Sequence, residues 1–118
     1  MGDDILEKIF ADRGYAEDFH VVMAKKDPEF LKLYLNLWES IFKHGNLDNK
    51  TASLVRLSAI CALKIPAGLD HGMDLAKKAG ASEEEIMDVI KIAYFFSGNA
   101  SLIPALTMAK KKFNVEYP

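Results

Sequence analysis

A single cysteine, Cys61, stands in 118 residues, so no disulfide can form within the chain. Four prolines and seven glycines form no linker or low-complexity tract, and no repeat of solenoid period is visible. An excess of either charge is also lacking. Fifteen basic residues face seventeen acidic ones, a formal net charge of -2, so nothing global draws the chain to nucleic acid or to an anionic membrane. No hydrophobic run is long enough to span a bilayer. The opening Met1-Gly2-Asp3-Asp4 is acidic and lacks the basic start and apolar core of a signal peptide, which leads us to expect a cytoplasmic protein. Glycine-rich phosphate loops, nucleophile elbows and dinucleotide fingerprints are absent. Asp70 and Asp74 share a helix face with His71 nearby, but one histidine without a second cluster is a poor metal ligand set, so no metal and no cofactor are expected.

Apolar side chains, by contrast, are plentiful. Half of the residues are hydrophobic, yet a domain of this size buries only about two-thirds of the surface its unfolded chain exposes. A subunit interface is the natural place for the surplus.

The pattern predicts one all-α domain over residues 1–118, with six or seven helices. Asp3 or Asp4 starts a helix to about Arg13, which Gly14 ends. A second helix covers Ala16 to Lys26. Asp27 and Pro28 supply an N-cap and a first-turn proline for a third, running to about His44 before Gly45-Asn46. Its apolar residues wrap more than one face, which predicts two neighbours, one of them in another subunit. Asp48 caps a helix from Asn49 to about Ile65 in which Arg56 is the only charge between Thr51 and Leu63, so it belongs at the centre of the core. Pro66 either kinks that helix or begins another over Ala67 to Ala79. Ser82 and Glu85 make a capping box for the next, whose core stripe is Ile86, Val89, Ile90 and Ala93. After Ser97-Gly98-Asn99 a last helix carries Leu102, Ile103, Leu106 and Met108, and ends in Lys110-Lys111-Lys112, where a helix dipole favours positive charge.

From Phe30 to Leu106 the order of these signals is specific. An aromatic helix ends in Phe42-Lys43-His44-Gly45-Asn46-Leu47-Asp48-Asn49-Lys50-Thr51. A lone His71 follows, then Ala79-Gly80-Ala81-Ser82-Glu83-Glu84-Glu85-Ile86 and Ala93-Tyr94-Phe95-Phe96-Ser97-Gly98. The chain thereby resembles the carboxymuconolactone decarboxylase family, which includes the alkyl hydroperoxidase D-like peroxidases. The resemblance implies an alkyl hydroperoxidase D-like helical fold, assembly into trimers or hexamers, and sites near subunit interfaces. In the peroxidase branch the motif is Cys-x-x-Cys-x-x-x-His, preceded by a glutamate. Counting from His71, the cysteine positions fall on Lys64 and Ala67; counting from Lys50-Thr51, the glutamate position falls on Ser53.

These replacements bear on the chemistry. A dithiol peroxidase needs one thiolate to attack peroxide and a second thiol to discharge the sulfenic acid. Cys61 has no partner within the chain. Decarboxylating or opening an anionic lactone needs no thiol, only cations to hold carboxylates and an acid to protonate a carbanion-like carbon. We therefore take His71 and Lys64 as catalytic candidates, the imidazole as proton donor or shuttle and the ammonium as a second positive charge. Arg56 and Ser53 are the substrate-binding candidates, with the guanidinium able to grip a carboxylate bidentately. The expected function is non-thiol processing of a small organic acid in a homo-oligomer. A peroxidase or antioxidant protein is the first alternative, and a non-catalytic oligomeric binder of small molecules the second. Arg56 as a structural ion-pair partner and Cys61 as a small core residue are the plainer readings of those two positions.

Overall fold

In the computed structural model, which describes residues 1–117, the chain forms seven α-helices, and no strand occurs among the described residues. They are α1 (Gly2–Arg13), α2 (Asp18–Lys26), α3 (Pro28–Phe42), α4 (Asn49–Leu63), α5 (Pro66–Lys78), α6 (Glu83–Ser97) and α7 (Asn99–Lys112). The expected all-α class holds. The chain divides into two compact units, Met1–Asn46 and a second beginning at Leu47.

The first unit packs α1, α2 and α3 around Ile9, Ala24 and Leu31, with Ile5, Leu6, Met23, Tyr34 and Leu35 partly buried beside them. Gly2 permits this packing, because a Cβ there would lie 2.0 Å from the Ala24 carbonyl oxygen. Gly14 closes α1 in the left-handed conformation, φ 80°, which glycine adopts without a side-chain penalty. At the far end the Arg13 guanidinium lies 4.2 Å from the Trp38 ring centroid, and Trp38 stacks on Phe42 at 4.3 Å. Only one face of α3 is used in this way. Phe30, Leu33, Leu37 and Ile41, each more than half exposed, recur at helical spacing and form a bare apolar stripe. The two-faced pattern read from the sequence is thus present, with one face turned into the unit and the other uncovered.

The second unit is built on α4, which packs against α5, α6 and α7. Its core joins Leu57, Ile60 and Cys61 of α4 to Leu69, Met73 and Ala76 of α5, Ile86, Ile90 and Ala93 of α6, and Ala105 and Ala109 of α7. Burying this apolar surface is the main source of stability. The central place expected for α4 is borne out, though Val55 and Leu63 are exposed, so it is not surrounded on all sides. Two glycines set the α4–α5 distance. A Cβ on Gly68 would sit 2.9 Å from Ile60 Cγ2, and one on Gly72 would sit 3.3 Å from both Ile60 Cδ1 and Leu57 Cδ1. Their bare backbone lets α5 lie close on the Leu57–Ile60 ridge.

Local chemistry fixes the ends of these helices. Asp27 and Asp48 accept from the Phe30 and Thr51 amides at 3.1 and 2.7 Å, as N-caps do. Ser82 and Glu85 close the expected capping box at 3.0 and 2.9 Å. Pro66 begins a new helix rather than kinking the old one, because α4 ends at Leu63 and Lys64 turns left-handed with φ 58°. Between α6 and α7 only Gly98 intervenes, and the buried Ser101 hydroxyl bridges the joint, donating to the Gly98 carbonyl at 2.9 Å and accepting from Ser97 Oγ at 2.7 Å.

Truncating the core and removing a cap should differ in scale. We expect Leu57→Ala to cost 2–5 kcal/mol, about the range for deleting a fully buried leucine side chain, and Ser82→Ala to cost about 1 kcal/mol. Urea unfolding of the two variants at one protein concentration checks both values, and equal losses would show that α4 is not the core element described here.

Candidate functional site

The four residues singled out from the sequence lie on α4 and α5. Ser53 and Arg56, both partly buried, occupy successive turns of α4, so their side chains are neighbours on its surface. Lys64 is the exposed C-cap of the same helix. His71 is partly exposed in the second turn of α5. Helix geometry separates the set: at 1.5 Å rise per residue, Ser53 and Lys64 are roughly 16 Å apart along the α4 axis. The two positions therefore stand about three turns apart on one helix. Arg56 lies between them, and both it and His71 take part in interactions of their own.

Lys64 is notable for its backbone. A left-handed φ of 58° at a non-glycine residue is uncommon, and glycine is the usual occupant of such a helix end. Its amide still donates to the Cys61 carbonyl oxygen at 3.3 Å, which ties the turn to the end of α4.

His71 has an electrostatic neighbourhood that sequence reading missed. Lys112, near the end of α7, reaches α5 and pairs with Asp70 at 2.5 Å and Asp74 at 2.9 Å, its own side chain only 17 % exposed. The Lys112 hydrogen bond holds the Asp70 carboxyl below its usual range, with further lowering from the charges of Lys112, His71 and Lys111. Asp70 and Asp74 raise the Lys112 ammonium in return. The Asp70/Asp74 pair expected to share a face therefore does so, and it holds a lysine. The i, i+4 spacing was the available signal; what it could not supply was the partner, which comes from α7. Lys112 thus does more than complement a helix dipole. Among the described residues no group of three or more histidine, cysteine or acidic side chains could hold a metal ion.

The lone thiol belongs to the core. Cys61 is 1 % exposed among Leu57, Ile60 and their neighbours, and burial pushes its pKa from 9.0 up to about 11. A recess on the same unit is lined by Glu83, Glu84, Met87, Asp88, Lys91 and Phe113, and none of the four predicted site residues borders it. Among the described residues no helix is long and apolar enough to cross a membrane.

The sequence model of the carboxymuconolactone decarboxylase family matches residues 28–111, somewhat beyond the 30–106 stretch that carried the resemblance. An uncharacterized protein of Methanocaldococcus jannaschii is 32% identical over 85 residues, covering 72% of this chain and 79% of that protein. A second uncharacterized protein of the same organism is 29% identical over 91 residues, covering 76% and 84%. Among solved structures, a protein from Burkholderia xenovorans LB400, provisionally named a carboxymuconolactone decarboxylase, superposes with a TM-score of 0.82. The match spans 97% of this chain and 95% of that one at 21% identity, a likeness of fold.

Thiol labelling tests the burial of Cys61. A pKa near 11 rather than 9.0 leaves about a hundredfold less thiolate at neutral pH, and only thiolate reacts. Alkylation of the folded protein at pH 7.5 should be at least about a hundredfold slower than that of a free thiol and should recover in denaturant. Labelling as fast as glutathione would place the sulfur at the surface.

Proposed function

Because the chain belongs to the carboxymuconolactone decarboxylase family, we propose that it processes a small organic acid without a thiol, by decarboxylation or lactone opening. The observation that carries this reading is that the single thiol is buried whereas the His71 imidazole is not. Cys61 is packed where peroxide cannot meet a thiolate, so the alternative of a self-contained dithiol peroxidase loses its nucleophile. His71 has the chemistry for the remaining task. In a decarboxylation the carbon–carboxylate bond breaks, carbon dioxide leaves, and the electron pair left on carbon takes a proton, here from the His71 imidazolium. Arg56 and Ser53 hold the substrate's carboxylate and oxygen, and Lys64 supplies the second positive charge. The left-handed backbone at Lys64 supports a role for that side chain, since strain tends to collect at functional positions.

The partner in this account is a second copy of the chain. The bare stripe of Phe30, Leu33, Leu37 and Ile41 on α3, and Phe95 and Phe96 on α6, exposed by 78 and 84 %, are apolar surfaces of the kind that subunits cover. We take the assembly to be a trimer or hexamer, and its location to be the cytoplasm. An assembled site also answers the roughly 16 Å spread along α4, since a neighbouring copy would let separate subsets of the residues serve one ligand. If no copy does so, the same spread favours the second reading, an oligomeric binder without turnover.

The assay is release of carbon dioxide, or loss of lactone absorbance, from carboxymuconolactone and related small lactone acids. We expect His71→Ala to lower turnover by about 10²- to 10⁴-fold, the usual worth of a positioned general acid, with the sedimentation profile unchanged. Turnover that survives His71→Ala would remove the imidazole from the mechanism, and the absence of turnover in the unmodified protein with every such acid would leave the binder.

A further inference from the structure

The first unit contains a buried ionisable group that the proposed chemistry does not use. His20 is 0 % exposed and occupies the third position of α2, where it forms a capping box with Glu17. The Glu17 amide donates to His20 Nδ1 at 3.0 Å. Glutamine and glutamate are the ordinary residues for this return contact, and the histidine acceptor, unlike the amide oxygen of glutamine, is a basic nitrogen that takes up a proton. With Nδ1 accepting, the neutral ring carries its proton on Nε2, and that buried atom has no hydrogen-bond partner. The ring lies against Phe19 at 4.1 Å and Tyr34 at 6.2 Å between centroids. The charged groups around it are few. α1 contributes Arg13, whose positive charge opposes a second one; α2 contributes Glu17, whose carboxylate serves the cap of its own helix; and α3 faces it with the uncharged Tyr34 ring.

We propose that the Glu17–His20 box is an acid-sensitive latch on the α1–α3 unit: a proton arriving at His20 Nδ1 replaces an acceptor with a donor, breaks the contact with the Glu17 amide and frees the first turn of α2. The step balances: a solvent hydronium gives up its proton, an N–H bond forms at Nδ1, water is released, and the Glu17 N–H to Nδ1 hydrogen bond is lost. Protonation also puts a cation among Phe19 and Tyr34 with its Nε2 proton unanswered, so the ring must leave its place to be solvated. Burial first, and Arg13 second, lower the His20 pKa from 6.5 to about 4. The sign follows from linkage. The folded unit disfavours the charged ring, so its stability is full above pH 6.5, declines as pH falls toward 4, and changes no further through this group below that.

The experiment uses the full chain, compared with His20→Gln, which keeps an acceptor at the box and cannot titrate. Amide hydrogen exchange at α2 is followed from pH 7 to 4.5 and corrected for intrinsic rates, with imidazole nitrogen resonances read in parallel. In the unmodified chain the opening equilibrium at α2 should rise by up to about tenfold per pH unit below 6.5, while His20 keeps its proton on Nε2. The His20→Gln chain should show no such slope over the same range. Equal slopes in the two proteins, or a His20 resonance with Nδ1 protonated at pH 7, would overturn the latch. If His20→Gln does not fold, the unmodified chain still decides: an α2 opening equilibrium that ignores pH refutes the proposal, and one that rises as pH falls, with the ring still neutral in the folded state, supports it.

Discussion

The close seating of α5 on α4 is the contact on which the second unit depends. Leu57 and Ile60 present a ridge, and Gly68 and Gly72 present bare backbone to it. A Cβ at Gly68 would force Ile60 to shift and one at Gly72 would press on Ile60 and Leu57, next to Met73 and Ala76, both of which are fully buried. Dense packing of this kind leaves little room for adjustment. It also determines what is available for chemistry. Cys61, on the inner side of α4, becomes packing material, while His71 stays on the flank of α5 beside an aspartate that Lys112 holds in its charged form.

Charges pair in both units, as Lys25 does with Asp3 and Lys8 with Glu39 in the first. In the second unit, charges that meet at the edge of the core are paired: Lys112 with Asp70 and Asp74, and Lys50 with Glu85 at 2.8 Å across α4 and α6. Such partly exposed pairs contribute more to geometry than to stability. In the first unit a neutral histidine is enclosed with one ring nitrogen unsatisfied, which is costly in a dry environment. The cost is tolerated because the other nitrogen completes a helix cap and the ring packs on aromatic neighbours.

Most of the helical frame could be read from the sequence because its signals are local. Asp27-Pro28, Asp48 and the Ser82–Glu85 box act within one turn, and each begins a helix where expected. Ambiguity at Pro66 was resolved by Lys64 turning left-handed, an outcome no propensity favours at a lysine. The start of α2 moved from Ala16 to Asp18 because the box at Glu17 and His20 sets it, and histidine is not a residue that advertises such a cap. Of the candidate site, the residue positions were legible and their relations were not. The i, i+4 aspartates pointed to a shared face; that their partner would come from α7, thirty-eight residues beyond Asp74, depends on packing that local spacing does not encode. The glycines of α5 looked like weak points of a helix, and only the ridge beneath them explains their use.

Exposed apolar side chains on α3 and α6 show that this chain leaves unburied much of what composition says it must bury. That surplus, the enclosed thiol and the partly exposed His71 imidazole together support a family member whose chemistry runs without a thiol. The most direct measurement is hydrogen peroxide consumption by the purified protein with dihydrolipoamide as reductant. The account predicts no consumption above the uncatalysed rate. Sustained consumption that disappears in Cys61→Ala would contradict it, since the sulfur would then be working as a nucleophile and not as part of the core.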